Sequence, residues 1–225
     1  MLILAVDTSG KNGSLALVRF EGESERTLEV VSLEGGTFSA QLVPQISTAL
    51  SKNSLSKNDI DGFAVASGPG SFTGLRVGLA AFKALAEILQ KPIASVSLLE
   101  VISRAAGIGG QVIAVLDAGR GEIYVGTYEF GEQNSCNATE ELLTIAELRA
   151  KAAACPVFTP DQKLVDMLAA EDLNVTLIPQ PRADAVARLG FEKIRKGDMT
   201  SPEALDATYI RRSDAEIMQS RRISR

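Results

Sequence analysis

Leu2 to Val6 is an unbroken apolar run that stops at Asp7-Thr8-Ser9-Gly10, a cluster of turn-forming residues, and apolar and small residues resume from Ser14 to Val18. This pattern predicts a strand, a tight turn and a second strand. Thr27 to Leu33 reads as a third strand after the polar stretch Glu21 to Arg26. Phe38, Leu42, Ile46 and Ala49 then recur at spacings of four, four and three, which is a helical face, with Ser39 placed to cap it and Pro44 to kink it. Gly62 to Ser67 predicts a buried strand, and the loop Gly68-Pro69-Gly70-Ser71 leads into a long helix from about Phe72 to Gln90 that Pro92 stops. Ile93 to Val96 predicts another strand, with Ser97 capping a helix to about Ala106.

After Gly107-Ile108-Gly109-Gly110 the pattern begins again. Val112 to Leu116 is apolar and ends at Asp117-Ala118-Gly119, and Glu122 to Phe130 returns with Ile123, Val125 and Thr127 in alternation. The repeated strand–Asp–turn–strand element predicts an internal duplication at about half the chain length. Helices are expected over Thr144–Ala154, Asp161–Ala170 and Arg182–Lys196, and strands over Val157–Thr159 and Asn174–Ile178. The fold class is α/β in two lobes. Residues 1–108 form the first lobe, 109–212 the second and 213–225 a basic tail.

Composition narrows the chemistry. The 225 residues include no His, which excludes imidazole zinc sites, Ser-His-Asp triads and Cys-His pairs and leaves carboxylate-only magnesium chemistry. A net charge of −5 argues against nucleic-acid binding by this chain alone. Arg211, Arg212, Arg221, Arg222 and Arg225 gather in the tail, which reads as a solvated end. Apolar runs are too short to span a bilayer, and the N-terminus meets a carboxylate at its seventh residue, so the expectation is a cytoplasmic protein without membrane contact. Cys136 and Cys155, 19 apart, have no metal-binding spacing and read as reduced filler.

Three stretches carry candidate chemistry. Asp7-Thr8-Ser9 and Asp117 each set a carboxylate at a strand end before a turn of small residues. Two such hairpins facing across a cleft are how actin, Hsp70 and sugar kinases grip phosphate and magnesium, although strand-end Asp residues also simply cap turns. The third stretch, from Ser67 to Gly78, contains Gly68, Gly70, Ser71, Thr73 and Gly74. It is neither a Walker A loop, lacking Gly-Lys-Ser/Thr, nor a dinucleotide fingerprint. It leaves open an anion at the helix N-terminus or a stripe of Gly74, Gly78 and Ala81 that lets another helix approach. At 100° per residue the long helix has two apolar stripes, Leu75, Leu79, Phe82 and Leu89 on one and Gly74, Gly78, Ala81 and Leu85 on the other. A monomer's surface helix needs one, so the spare face meets a neighbouring helix or a second chain, and a second chain is the preferred reading. The helix carrying Phe38, Leu42 and Ile46 lies alongside it in that reading.

The run Ser-Gly-Pro-Gly-Ser-Phe-Thr-Gly-Leu-Arg-Val-Gly from Ser67 to Gly78, with Asp7-Thr8-Ser9, Asp117-Ala118-Gly119-Arg120-Gly121-Glu122-Ile123-Tyr124 and Tyr209-Ile210-Arg211, resembles the TsaB (YeaZ) family over nearly the full length. The resemblance implies a two-lobed actin-like, Hsp70-like (ASKHA, RNase H-like) fold and a catalytically inactive subunit without a cofactor. It implies pairing with the paralogue TsaD, which modifies the adenosine next to the tRNA anticodon, assembly with the ATPase TsaE, a homodimer through first-lobe helices, and tRNA contact only through the complex. On this reading Asp7, Thr8, Ser9, Gly68, Gly70, Ser71, Thr73 and Asp117 are a vestigial phosphate-type site. Phe38, Leu42, Ile46, Gly74, Leu75, Gly78, Leu79, Ala81, Phe82 and Leu85 are the interface. The alternative is a small actin-fold ATPase or kinase using Asp7, the Gly68–Thr73 loop and Asp117. Against it stand a short second lobe and the absence of a glycine pair for an adenine pocket. A glycoprotease fares worse, because the chain has neither the His of a metalloprotease nor a serine with a general base partner in sequence.

Overall fold

A computed structural model describes residues 1–22, 24–131, 136–152, 155–201, 203–207 and 210, with backbone only at 136 and 137. Tyr209, Arg211 and the arginines of the tail lie outside the described residues. The first half forms strands β1 (Leu2–Asp7), β2 (Gly13–Glu21) and β3 (Ser24–Leu33), helix α1 (Phe38–Lys52), strand β4 (Gly62–Gly68), helix α2 (Phe72–Leu89), strand β5 (Ile93–Ser97) and helix α3 (Leu98–Ala105). The second half forms β6 (Gly110–Gly119), β7 (Glu122–Phe130), β8 (Cys136–Thr144), α4 (Ile145–Ala152), β9 (Val157–Thr159), α5 (Gln162–Ala169), β10 (Val175–Leu177) and α6 (Ala183–Lys196). Among the described residues no helix is long and apolar enough to cross a membrane.

The duplication extends to whole sheets. The first has strand order β3-β2-β1-β4-β5 and the second β8-β7-β6-β9-β10, each a three-stranded antiparallel meander whose first strand runs parallel to two later ones. Period-two alternation explains how the first sheet is covered on both faces. Leu2, Leu4 and Val6 of β1 join Leu15, Leu17, Phe63 and Val65 in a core under α1 and α2. Ile3 and Ala5 join Ala16, Val18, Ala64 and Ala66 on the opposite face, under α6. The small residues there let α6 come close: a Cβ on Gly190 would run into the Ala64 side chain.

Two helices exchange sides. α6 follows the strands of the second sheet in sequence but packs across β1, β2, β4 and β5 of the first. Its first amide, Ala183 N–H, donates to Ser14 Oγ on β2 at 2.8 Å, and Phe191 stacks on Phe20 with ring centroids 4.0 Å apart. α3 follows β5 yet packs on β6 and β7. Leu98 and Val101 enter the first-sheet core, while Leu99 and Ile102 enter the second-sheet core with Val112, Ala114 and Tyr128. One short helix is thus shared by two cores.

Several local expectations need correction. Thr37, not Ser39, precedes α1, and the helix runs on through Pro44. α2 ends at Gln90 in a left-handed conformation, φ 53°, before Pro92 is reached. Strand β8 has no strand signature in the sequence, because Ala-Thr-Glu-Glu-Leu-Leu carries helix formers and only pairing along the whole of β7 makes it a strand. Cys155 is a free thiol donating to Gln111 Oε1.

The face assigned to a second chain is used by this chain. Phe38, Leu42, Ile46, Gly74, Leu75, Gly78, Leu79 and Phe82 are buried within the lobe, and Ala81 and Leu85 are half-buried. The side chains left outside on the same helices are others: Val43 on α1 is 64% exposed and Ile88 on α2 is 73% exposed. Ala80 and Ala84 are also exposed and continue the Ile88 line at i, i+4, i+8.

The tight α6 contact yields a first prediction. Gly190→Leu overfills the space at Ala64 and destabilises the fold by about 1–3 kcal/mol, which lowers the melting temperature in a thermal scan by roughly 2–4 °C per kcal/mol. Leu at exposed position 84 in place of Ala leaves it unchanged.

Candidate functional site

The strand-end turn of β1 and the glycine run of α2 form one packed unit. Thr8 Oγ1 donates to the Gly74 carbonyl at 2.8 Å. Ser71 N–H donates to the Ser9 carbonyl at 2.6 Å. A Cβ on Gly70 would lie 2.6 Å from the Ser9 carbonyl oxygen, one on Gly78 would lie 2.5 Å from Thr8 Oγ1, and one on Gly74 would overlap the Thr8 carbonyl. Gly68 adopts φ 118°, a region open to glycine. The glycines are therefore required by a neighbour: Thr8 and Ser9 lie against the helix where side chains would otherwise be.

Asp7 is 5% exposed and lines neither of the two larger cavities beside this unit. Its Oδ1 accepts the Ser9 N–H at 2.9 Å. Burial raises its pKa above the ordinary carboxylate value, and the hydrogen bonds from Ser9 offset only part of that. Four amides at these turns are also engaged within the chain. Ser9 N–H serves Asp7, Ser71 N–H serves Ser9, Gly74 N–H donates to Ser71 Oγ at 3.3 Å as a helix cap, and Gly119 N–H donates to Asp117 Oδ1 at 2.7 Å.

Two cavities flank the unit. One of about 790 Å³ lies between the Ser9–Asn12 turn, residues 34–39 and the start of α2, where Ser71, Thr73, Gly74 and Val77 face it. The other, about 570 Å³, is the cleft between lobes, lined by Ser9, Gly10, Lys11 and Gly70 from the first lobe and Asp117, Tyr124 and Asp161 from the second. Of the site residues named from sequence, the cleft brings together Ser9, Gly70 and Asp117, while Ser71 and Thr73 open on the other cavity. Asp7, Thr8 and Gly68 line neither. Lys11 lines both and was missed, although its place just after Asp7-Thr8-Ser9-Gly10 was a legible signal. Asp161 also caps α5, accepting Lys163 N–H at 2.9 Å. Among the described residues no group of three or more His, Cys, Asp or Glu side chains is placed to hold a metal ion.

Two matching five-stranded sheets with a strand-end turn and a glycine loop at their cleft define a two-lobed actin-like protein. The family model described as "TsaD: tRNA N6-adenosine threonylcarbamoyltransferase" matches residues 35–191. The TsaB protein of Bacillus subtilis is 34% identical over 131 residues, 58% of this chain and 56% of that protein. TsaB of Escherichia coli is 31% identical over 143 residues, 62% and 60% of the two chains. The matched stretches thus span little more than half the length of these curated relatives. The structure of YeaZ from Pseudomonas aeruginosa superposes with TM-score 0.72 at 24% identity, covering 93% of this chain and all of that one, and so shares the fold. The chain belongs to the tRNA N6-adenosine threonylcarbamoyltransferase family, in its TsaB (YeaZ) group.

The buried Asp7 gives a pH prediction. Its folded pKa lies above its unfolded one, so its contribution is most favourable below the ordinary carboxylate pKa and is lost as pH rises through the raised folded value. Asp7→Asn keeps an acceptor for Ser9 and removes the charge. Urea unfolding at pH 4 and pH 7.5 should show the variant gaining stability relative to wild type at the higher pH. A difference that does not change with pH would show that Asp7 is not ionised at a cost.

Proposed function

We propose that this chain is a non-catalytic partner subunit of the machinery that places threonylcarbamoyl on N6 of the adenosine beside the tRNA anticodon. It binds a TsaD-type paralogue that carries out the transfer, assembles with a TsaE-type ATPase, pairs with a second copy of itself when alone, and meets tRNA only through the complex, in the cytoplasm. The observation that carries this reading is the occupied turn: Asp7 is buried, and the amides of Ser9, Ser71, Gly74 and Gly119 each donate to an acceptor of the chain itself. Family membership supplies the pathway, and the absence of His removes imidazole chemistry. The exposed line of Ala80, Ala84 and Ile88 on α2 supplies an apolar docking face of the kind helix pairing uses. It replaces the buried glycine stripe in that role.

A second reading, a small ATPase, draws on Lys11 facing Asp117 across the cleft. A lysine and a carboxylate there could orient a nucleotide, but the neighbouring amides would first have to break their present hydrogen bonds.

Co-purification with a TsaD-type enzyme tests the partner reading. Wild type co-elutes, and Ile88→Glu, which sits in solvent and spares the fold, weakens the complex by at least about tenfold, equivalent to about 1.4 kcal/mol. An undiminished complex would reject the face, and no complex with wild type would reject the partnership. Gly78→Arg is unsuited to this test, because its side chain would displace Thr8 and disturb the lobe itself.

A further inference from the structure

The strongest unassigned feature lies on the side of α3 opposite the cleft. Leu98 and Ile102 face the cleft, while Glu100 and Arg104, about 200° around the helix at 100° per residue, face a separate polar cavity of about 380 Å³. That cavity is lined from both lobes: Ser97 ends β5 of the first sheet, and Tyr128 and Glu140 stand on β7 and β8 of the second. Tyr128 is fully buried and donates its hydroxyl to Glu140 Oε1 at 2.5 Å. Ser97 Oγ donates to the same oxygen. Ser97 opens α3 but makes no side-chain cap, so the hydroxyl that the sequence assigns to capping is used to hold Glu140. Around it Arg104 pairs with Glu100 at 3.3 Å and with Glu192 of α6 at 3.6 Å, and Lys193 of α6 approaches Glu100 at 3.9 Å.

We propose that Glu140 is an interlobe latch: by accepting hydroxyl hydrogens from both sheets it fixes the angle between the lobes, and releasing it lets them turn about α3 and changes the width of the 570 Å³ cleft. The geometry suits such a device. A single carboxylate oxygen bridges a residue of the first sheet's edge strand β5 to one within the second sheet, and α3, packed into both cores, lies between the two sheets as a shared axis. Burial and the adjacent Glu140 carboxylate push the Tyr128 phenol far above its ordinary pKa, so it remains a donor throughout the physiological range.

Pulsed electron–electron resonance between nitroxides at Ser51→Cys and Lys163→Cys, both exposed and one on each lobe, reads the angle in a Cys136→Ser, Cys155→Ser background. The wild-type pair gives one narrow distance distribution. Glu140→Ala broadens it about twofold or splits it, and Glu140→Gln, which keeps an acceptor oxygen, restores it. Ser97→Ala removes both contacts that Ser97 makes across the lobes, to Glu140 and to Tyr128, leaves the Tyr128–Glu140 bond within the second sheet and broadens the distribution in the same way, which keeps the test usable if Glu140→Ala fails to fold. A Ser97→Ala distribution as narrow as wild type, even with a lowered melting temperature, would overturn the latch, as would a wild-type distribution that is already broad.

Discussion

Everything around the cleft depends on how closely the Thr8–Ser9 turn lies on helix α2. The turn can sit there because Gly70, Gly74 and Gly78 present no side chains, and Thr8 fixes it by donating to the Gly74 carbonyl. Once it is in place, Ser9 gives its amide to Asp7 and its carbonyl to Ser71. A buried carboxylate and a helix start are both satisfied by two residues of turn, which takes the Ser9 and Ser71 amides away from an incoming phosphate. The same contact buries the glycine stripe and so decides which faces of α1 and α2 remain outside.

A second constraint orders the lobes. Each sheet needs a helix on its inner face, and the chain supplies it from the other half: α6 covers the first sheet and α3 the second. Small residues Ala5, Ala16, Ala64 and Ala66 make room for α6, with Gly190 at the closest approach. The cost is that neither lobe completes its core without the other's segment, so the relation between lobes is set by packing and by the hydroxyl bridge at Glu140 rather than by a free linker.

Much of this was legible in the residues. The apolar runs at Leu2–Val6 and Val112–Leu116, each closed by an Asp, marked the two central strands and the duplication. The apolar period of α1 and α2 placed both helices within a residue or two. What the pattern could not supply was distance across the chain. Gly74 and Gly78 look the same in sequence whether they wait for a second chain or receive Thr8 from the same one. The extra apolar positions of α2 likewise fill a lobe core between a sheet and α1. Ser97 reads as a helix cap because its partner, Glu140, is 43 residues away in a strand whose composition favours helix. Lys11 follows the Asp7-Thr8-Ser9-Gly10 turn directly, but only the fold shows that two cavities meet at it.

The phosphate-gripping turn of this actin-like fold is closed on its own carboxylate, carbonyl and hydroxyl groups. Calorimetric titration of the isolated protein with ATP and magnesium probes that closure. No saturable heat is expected up to the millimolar range, because Asp7 and the amides of Ser9, Ser71 and Gly119 already have partners. Saturable binding in the micromolar range, worth about 8 kcal/mol, would contradict it and return the cleft between Lys11 and Asp117 to the status of a working nucleotide site.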